Sequence, residues 1–205
     1  MRIGIVGGSF NPIHIAHLII ADRFAEQMQL DTCTFIPAFQ SPFKSTPNVA
    51  DATPKQRMDM VRAAIALNGS FSASDREIER GGVSYTIDTV EDLQREHPQS
   101  ELFLLIGSDQ AIEFVRWHRW EDICRVARLC IVRRPFLLTN EMELRTTERL
   151  TVDGREPIWI NAPLLEISST EIRHRVSKGA TINYLTVKAV RDYIDSHGLY
   201  RSDSQ

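Results

Sequence analysis

Eleven residues near the start of the chain concentrate side chains suited to chemistry: Gly7-Gly8-Ser9-Phe10-Asn11-Pro12-Ile13-His14-Ile15-Ala16-His17. They fall where an apolar, β-branched stretch gives way to a helix-period one. Gly7 and Gly8 let the backbone approach a ligand with no Cβ in the way. The amides that follow, and the start of the helix, offer donors and a positive dipole end to an anion. His14 and His17 stand at that helix entrance, three residues apart. Each can donate a ring N–H to a phosphate oxygen, and a protonated imidazole adds charge. The chemistry that fits is stabilisation of a phosphate group in transfer. A plainer reading is a tight turn with one capping and one exposed histidine. For the Gly-Gly pair alone that reading weighs more, and the two histidines bring the readings level. The chain contains neither G-x-x-x-x-G-K-[ST] nor G-x-G-x-x-G, so the P-loop and the dinucleotide fingerprint are excluded.

A second cluster lies near the other end, Ile167-Ser168-Ser169-Thr170-Glu171-Ile172-Arg173. It follows an apolar stretch and opens a helix, so its hydroxyls and first-turn amides make another anion-binding end. Arg173 can turn its fork toward the same phosphates. The alternative is a capped helix whose arginine faces solvent.

Positioning these groups requires a scaffold, and apolar stretches alternate with helix-period ones along the chain. Strands are expected at 3–6, 34–37, 71–73, 102–106, 129–132 and 158–160. Helices are expected at 17–30, 54–67, 86–96, 110–115, 121–127, 170–177 and 187–197. Leu18, Ala21, Ala25 and Met28 share one helical face, as do Val187, Val190 and Ile194. Thr53-Pro54 forms an N-cap and first-turn pair, and Gly198 is placed to stop the last helix. The mixed-sign stretch 141–149 reads as a solvated surface segment. The alternation predicts an α/β, Rossmann-like, doubly wound parallel sheet with helices on both faces. The whole of residues 1–205 is read as one domain, with a C-terminal helical segment at about 168–200. In such sheets ligands sit beyond the carboxyl ends of the strands.

Composition is that of an ordinary globular chain: 205 residues, 42% hydrophobic and 25% charged. A net charge of −3 gives no sign of a polyanion-binding surface, so no nucleic-acid partner is expected. No apolar run is long enough for a membrane span. The N-terminal apolar stretch is too short for a signal peptide and no small-residue cleavage site follows it. Cys33, Cys124 and Cys130 are odd in number and irregular in spacing, so neither a disulfide framework nor a zinc site follows from them. A reducing, cytoplasmic location is the expectation. No heptad or exposed edge is evident, and a homo-oligomer is left open.

The first cluster resembles the G-G-x-F-x-P-x-H-x-G-H signature of the nucleotidyltransferase superfamily that transfers AMP or CMP. Ala16 stands where that signature has glycine, a replacement expected to be tolerated unless the position needs φ > 0. Ile-Ser-Ser-Thr-x-Ile-Arg is similar to the second hallmark of the same superfamily. Between them, Ser84-Tyr85-Thr86-Ile87-Asp88-Thr89, Ile106-Gly107-Ser108-Asp109, Trp117 and Val132-Arg133-Arg134-Pro135 resemble segments of the nicotinate-nucleotide adenylyltransferase family. Phe43 departs from the histidine that this family carries before its loop lysine, here Lys44.

The resemblance implies attack by the 5′-phosphate of nicotinate mononucleotide on the α-phosphorus of ATP, with Mg²⁺ carried on ATP and no dedicated metal site. It implies catalytic roles for His14, His17 and Arg173. It places ATP on Gly7, Gly8, Ser9, Phe10, Gly107, Asp109, Arg134, Ser169 and Thr170. Arg133, adjacent to Arg134, is expected to face solvent. The resemblance places nicotinate mononucleotide on Lys44, Tyr85, Thr86 and Trp117. Four of these have plain alternatives beside the implied role: Asp109 and Thr86 can cap helices, Trp117 can be a half-buried hydrophobic corner, and Lys44 can be a solvated loop lysine. Nicotinamide mononucleotide or phosphopantetheine are the rival acceptors, and a non-catalytic nucleotide sensor is the rival of another class.

Overall fold

The computed structural model describes residues 1–43, 52–133 and 139–201. Six strands, β1 (Arg2–Gly8), β2 (Thr32–Pro37), β3 (Phe71–Ala73), β4 (Glu101–Gly107), β5 (Ala127–Val132) and β6 (Ile158–Ile160), form one sheet in the order β3-β2-β1-β4-β5-β6. The β1–β4, β4–β5 and β5–β6 ladders are parallel. This is the strand order of a doubly wound sheet, whose direction of winding reverses between β1 and β4. Gly7 and Gly107 stand at the carboxyl ends of those two strands, where such sheets receive ligands.

The chain groups into two compact units, each assembled from three segments. The first comprises Met1–Gly7, Ile20–Thr34 and Tyr85–Leu164. The second comprises Gly8–Ile19, Phe35–Ser84 and the chain from Leu165 on.

In the first unit Leu102 to Ile106 of β4 are all buried, the continuous apolar run of a strand covered on both faces. Gly4 of β1 brings the backbone against Phe24 and Leu30, leaving no room for a Cβ. Ile87, Val90 and Leu93 of α4 (Thr86–Glu96) are buried as their spacing predicts. Helix α1 (Ile15–Gln27) starts two residues before the expected position and ends three before it. Its stop is Gln29 at φ 48°, with Leu30 N donating to Ala25 O. A left-handed stop on a residue other than glycine carries no signal in composition. Helices α5 (Ser108–Glu113) and α6 (Trp120–Val126) bracket a 3₁₀ turn at Phe114–Arg116. The stretch read as a solvated segment is helix α7 (Asn140–Leu150), capped by Thr139 and burying only Thr146 and Leu150. With so narrow an apolar face it shows no helical stripe in sequence.

The second unit holds α2 (Pro54–Ile65), α3 (Arg76–Arg80), α8 (Ser169–Ser177) and α9 (Lys188–Ser196). The five-residue α3 is too short to leave a periodic signal. Thr53 caps α2 through a reciprocal box with Gln56, and Pro54 is its first residue. Gly198, at φ 60°, ends α9 with Leu199 N donating to Ile194 O and Gly198 N to Asp195 O. Tyr193 of α9 donates to Asp59 of α2 at 3.0 Å, and Lys55 reaches the same carboxylate. Partial burial pushes the Asp59 carboxyl up, but the hydrogen bonds from Lys55 and Tyr193 outweigh it and hold the group below its ordinary value.

No helix among the described residues is long and apolar enough to cross a membrane. Cys33, Cys124 and Cys130 are free and buried, and burial pushes their thiols up to about 12, 11 and 12. Thiolates are the reactive form, so a disulfide reagent at pH 8 should label none of the three in the native protein while labelling all of them in denaturant. Rapid labelling of any one in the folded protein would contradict this packing.

Candidate active site

The turn after β1 belongs to the second unit from Gly8 onward, and its backbone is held from many sides. Ala38 N donates to Gly8 O at 2.9 Å, and Arg57 Nη1 to Ser9 O at 2.7 Å. Arg173 Nη1 donates to Asn11 O at 2.8 Å, Ser169 Oγ to Pro12 O at 2.8 Å, and Thr186 Oγ1 to Ile13 O at 2.9 Å. Five carbonyls of a six-residue stretch therefore face donors within the protein. In a trans peptide the N–H points opposite to the C=O, so the amides of Ser9, Phe10 and Ile13 are directed away from those donors. The Asn11 side chain is buried and accepts from the Tyr200 hydroxyl at 2.7 Å.

Phe10 holds φ 45°, a left-handed conformation that costs about 1–2 kcal/mol in a residue with a Cβ. Its ring is 2% exposed, and burial of a phenylalanine side chain contributes roughly 2–3 kcal/mol in compensation. That ring meets His17 edge-on, with centroids 5.2 Å apart. The side chain of Phe10 thus serves packing.

His14 and His17 lie at the entrance of α1 with their rings stacked, centroids 3.6 Å apart and 23° between planes. His14 N donates to His17 Nδ1 at 3.2 Å. An accepting Nδ1 fixes the neutral imidazole as the Nε2–H tautomer, so His17 has a donor on its other side. His14 is buried and His17 half-buried. His14 stands at the cap of α1, its carbonyl accepting from His17 N and Leu18 N as the plainer reading has it, but neither histidine is the fully exposed one of that reading. Ala16 is a buried helical residue outside the left-handed region, so its replacement of glycine leaves the helix entrance regular.

In α8 the cap is Ser168, whose hydroxyl accepts from Glu171 N at 3.1 Å. Ser169 is thereby the first helical residue and holds Pro12. Thr170 Oγ1 accepts from Arg173 Nη2 at 3.3 Å. Arg173 is half-buried and turned onto the turn that bears the histidines, so the solvent-facing alternative fails.

The first unit carries the remaining described candidates. Gly7 is exposed, with nothing near the place a Cβ would take. Gly107 caps α5 and the Asp109 carboxylate folds back over it, where a Cβ would collide with Oδ1. Asp109 is thus inside the helix and does not cap it. The cap of α4 is Tyr85, without a side-chain bond, so Thr86 does not cap either. Tyr85 is exposed, its ring 4.8 Å from that of His118. Trp117 is half-buried against Phe114, with centroids 4.9 Å apart. Arg119 ties this corner down, pairing with Glu91 at 2.7 Å and Asp122 at 2.8 Å. Arg133, expected to face solvent, is instead half-buried and bound to Glu143 and Asn161 over the Trp159 ring. Lys44 and Arg134 lie outside the described residues. No group of three or more His, Cys, Asp or Glu side chains among the described residues is placed to hold a metal.

Sequence reasoning missed Arg57, Thr186 and Tyr200. Arg57 reads as one more charged position on a helix, and the other two hold the turn from more than 170 residues away.

A doubly wound sheet with a histidine pair after its first strand defines the class, and the chain belongs to the cytidylyltransferase-like family, whose sequence model matches residues 5–175. Within it the chain is a member of the nicotinate-nucleotide adenylyltransferases. It is 39% identical over 200 residues to a protein of Exiguobacterium sibiricum named "Probable nicotinate-nucleotide adenylyltransferase", covering 98% of this chain and 99% of that one. A Salinibacter ruber protein of the same name is 39% identical over 201 residues, 98% of each chain. The structure of Plasmodium falciparum nicotinic acid mononucleotide adenylyltransferase complexed with APC shares the fold, with a TM-score of 0.76 at 22% identity over 97% of this chain and 96% of that one. The same enzyme complexed with NaAD also gives 0.76, at 23% identity and 97% of each chain.

Proposed function

We propose that this chain transfers the adenylyl group of ATP to nicotinate mononucleotide, forming nicotinate adenine dinucleotide and pyrophosphate, a step of NAD biosynthesis. A 5′-phosphate oxygen of the mononucleotide bonds to the α-phosphorus as the bond from that phosphorus to the bridging oxygen of pyrophosphate breaks. The nucleophile is already an anion, so no general base is needed, and catalysis consists of alignment and neutralisation of charge. The observation that carries this reading is the stacked His14–His17 pair, its second imidazole held as an Nε2–H donor at the start of a helix. His14 and His17 act on the triphosphate and transition state, and Arg173 on the leaving phosphates. The amides of Ser9 and Phe10, directed away from the donors that hold the preceding carbonyls, add donors to the same anion, together with Gly7, Gly8, Ser169 and Thr170.

Asp109 is assigned to ribose hydroxyls and Gly107 to the close approach that its missing Cβ permits. The half-buried Trp117 ring and the first-turn amides at Tyr85 and Thr86 suit a planar pyridine with a carboxylate. Lys44 is assigned to the mononucleotide's phosphate and Arg134 to the adenine nucleotide, on sequence resemblance alone. Magnesium enters as part of the substrate, MgATP. Three buried thiols fit a reducing compartment, and a cytoplasmic location is proposed.

Isotope placement tests the reaction directly. With nicotinate mononucleotide, label in the α-phosphate of ATP should appear in the dinucleotide and label in the γ-phosphate in pyrophosphate. Label from the γ-phosphate in inorganic phosphate or in the acceptor would overturn the assignment.

A further inference from the structure

We infer that Arg57 is a positioning residue for adenylyl transfer, one buried guanidinium that fixes the turn bearing the histidines and the segment after β2 at once. The inference rests on the function proposed above. Arg57 is the fourth residue of α2 and is 6% exposed. A buried arginine needs partners that replace its water. Nη1 donates to Ser9 O at 2.7 Å, and Nη2 donates to Phe39 O at 3.1 Å. Both prongs of a rigid planar fork thus end on main-chain oxygens, a bridge that the single ammonium of lysine cannot reproduce.

What the first prong controls follows from peptide geometry. Holding Ser9 O toward Arg57 sends the Phe10 N–H the opposite way, and Phe10 itself sits at φ 45°. Release of the carbonyl would let that peptide turn over, presenting an oxygen where the triphosphate meets an amide. The same residue carries the ring that packs edge-on against His17, so the backbone angle at Phe10 also sets the imidazole. The second prong acts on another segment. Phe39 N donates to Ser84 Oγ, and Ser84 N donates to Gln40 O, both at 2.9 Å. Arg57 therefore holds the end of the segment that leads toward Lys44 in register with the phosphate turn.

Arg57→Lys and Arg57→Met test this, with exposed Lys55→Met of the same helix as the control. Three quantities are read in each: ATP affinity by calorimetry, turnover, and the ¹H–¹⁵N signals of the Phe10 amide and the His17 ring. Arg57→Lys should fold, lose about tenfold in kcat and weaken ATP binding, and Arg57→Met should lose about a hundredfold. In both, the Phe10 and His17 signals should shift, while Lys55→Met matches the parent. ATP binding, kcat and both signals unchanged in Arg57→Lys would overturn the inference. So would a loss of activity in both variants that only tracks the fraction unfolded, which would make Arg57 a stabilising residue alone. If the parent protein itself makes no dinucleotide, the functional reading fails, and the ATP affinity and ring signals still decide the role of Arg57.

Discussion

Replacement of His17 by alanine is expected to lower kcat at least a hundredfold while leaving the fold intact, the usual effect of removing one oriented donor from a developing anion. The imidazole is fixed before substrate arrives. Its Nδ1 accepts from His14 N, its face stacks on His14, and its edge meets the Phe10 ring. With Nδ1 held, Nε2–H is the ring donor assigned to a phosphate oxygen, and preorganisation of this kind is what makes a hydrogen bond catalytic. The ring is half-buried, so the variant leaves a cavity open to solvent rather than one sealed in the core, and thermal stability should change little. His14 is different, being 6% exposed, so its replacement should lower stability as well as turnover. Steady-state kinetics and a melting curve on His17→Ala check the claim. Turnover near that of the parent would remove His17 from the mechanism.

The second large effect is expected at Arg173. Arg173→Ala should lower kcat/KM for ATP by a hundredfold or more, because it deletes a cation assigned to the leaving phosphates and releases Asn11 O together. These two losses can be separated. Arg173→Lys restores the charge without the fork that spans Asn11 O and Thr170 Oγ1, so it should recover only a small part of the activity. Affinity for pyrophosphate provides the second readout. It should fall in Arg173→Ala and return in part with lysine. If pyrophosphate binds equally well to all three proteins, Arg173 acts only by holding the turn.

How much of this was readable in the chain depends on the range of the forces involved. Period and composition locate all six strands and most of the helices, because burial of β4 and the stripe of α4 are written in consecutive residues. The box at Thr53 and the glycine stop at Gly198 are local chemistry and were equally legible. Helix α7 was not, since it buries only Thr146 and Leu150, leaves Met142 and Leu144 exposed, and is held by a cap and ion pairs such as Arg145 with Glu141. The capping alternatives for Thr86 and Asp109 looked sound by residue type. The backbone nonetheless places the caps at Tyr85 and Gly107.

At the site, types and spacing pointed to His14, His17 and Arg173, while their environment stayed hidden. Arg173 bridges 162 positions to Asn11, and Thr186 bridges 173 to Ile13. Such bonds exist only once the sheet has formed, and one sequence holds no trace of them. Arg57 shows the limit most sharply. By type it belongs on the surface, and only the folded chain reveals two carbonyls that make its burial favourable.

The decisive measurement is pyrophosphate release from MgATP with nicotinate mononucleotide, its amide and phosphopantetheine offered separately, each reported as kcat/KM. Strong preference for the nicotinate acceptor is the predicted result, and it would assign Tyr85, Thr86 and Trp117 to specificity. No release with any acceptor, from folded protein that binds ATP, would contradict the account and leave a nucleotide-binding protein without this chemistry.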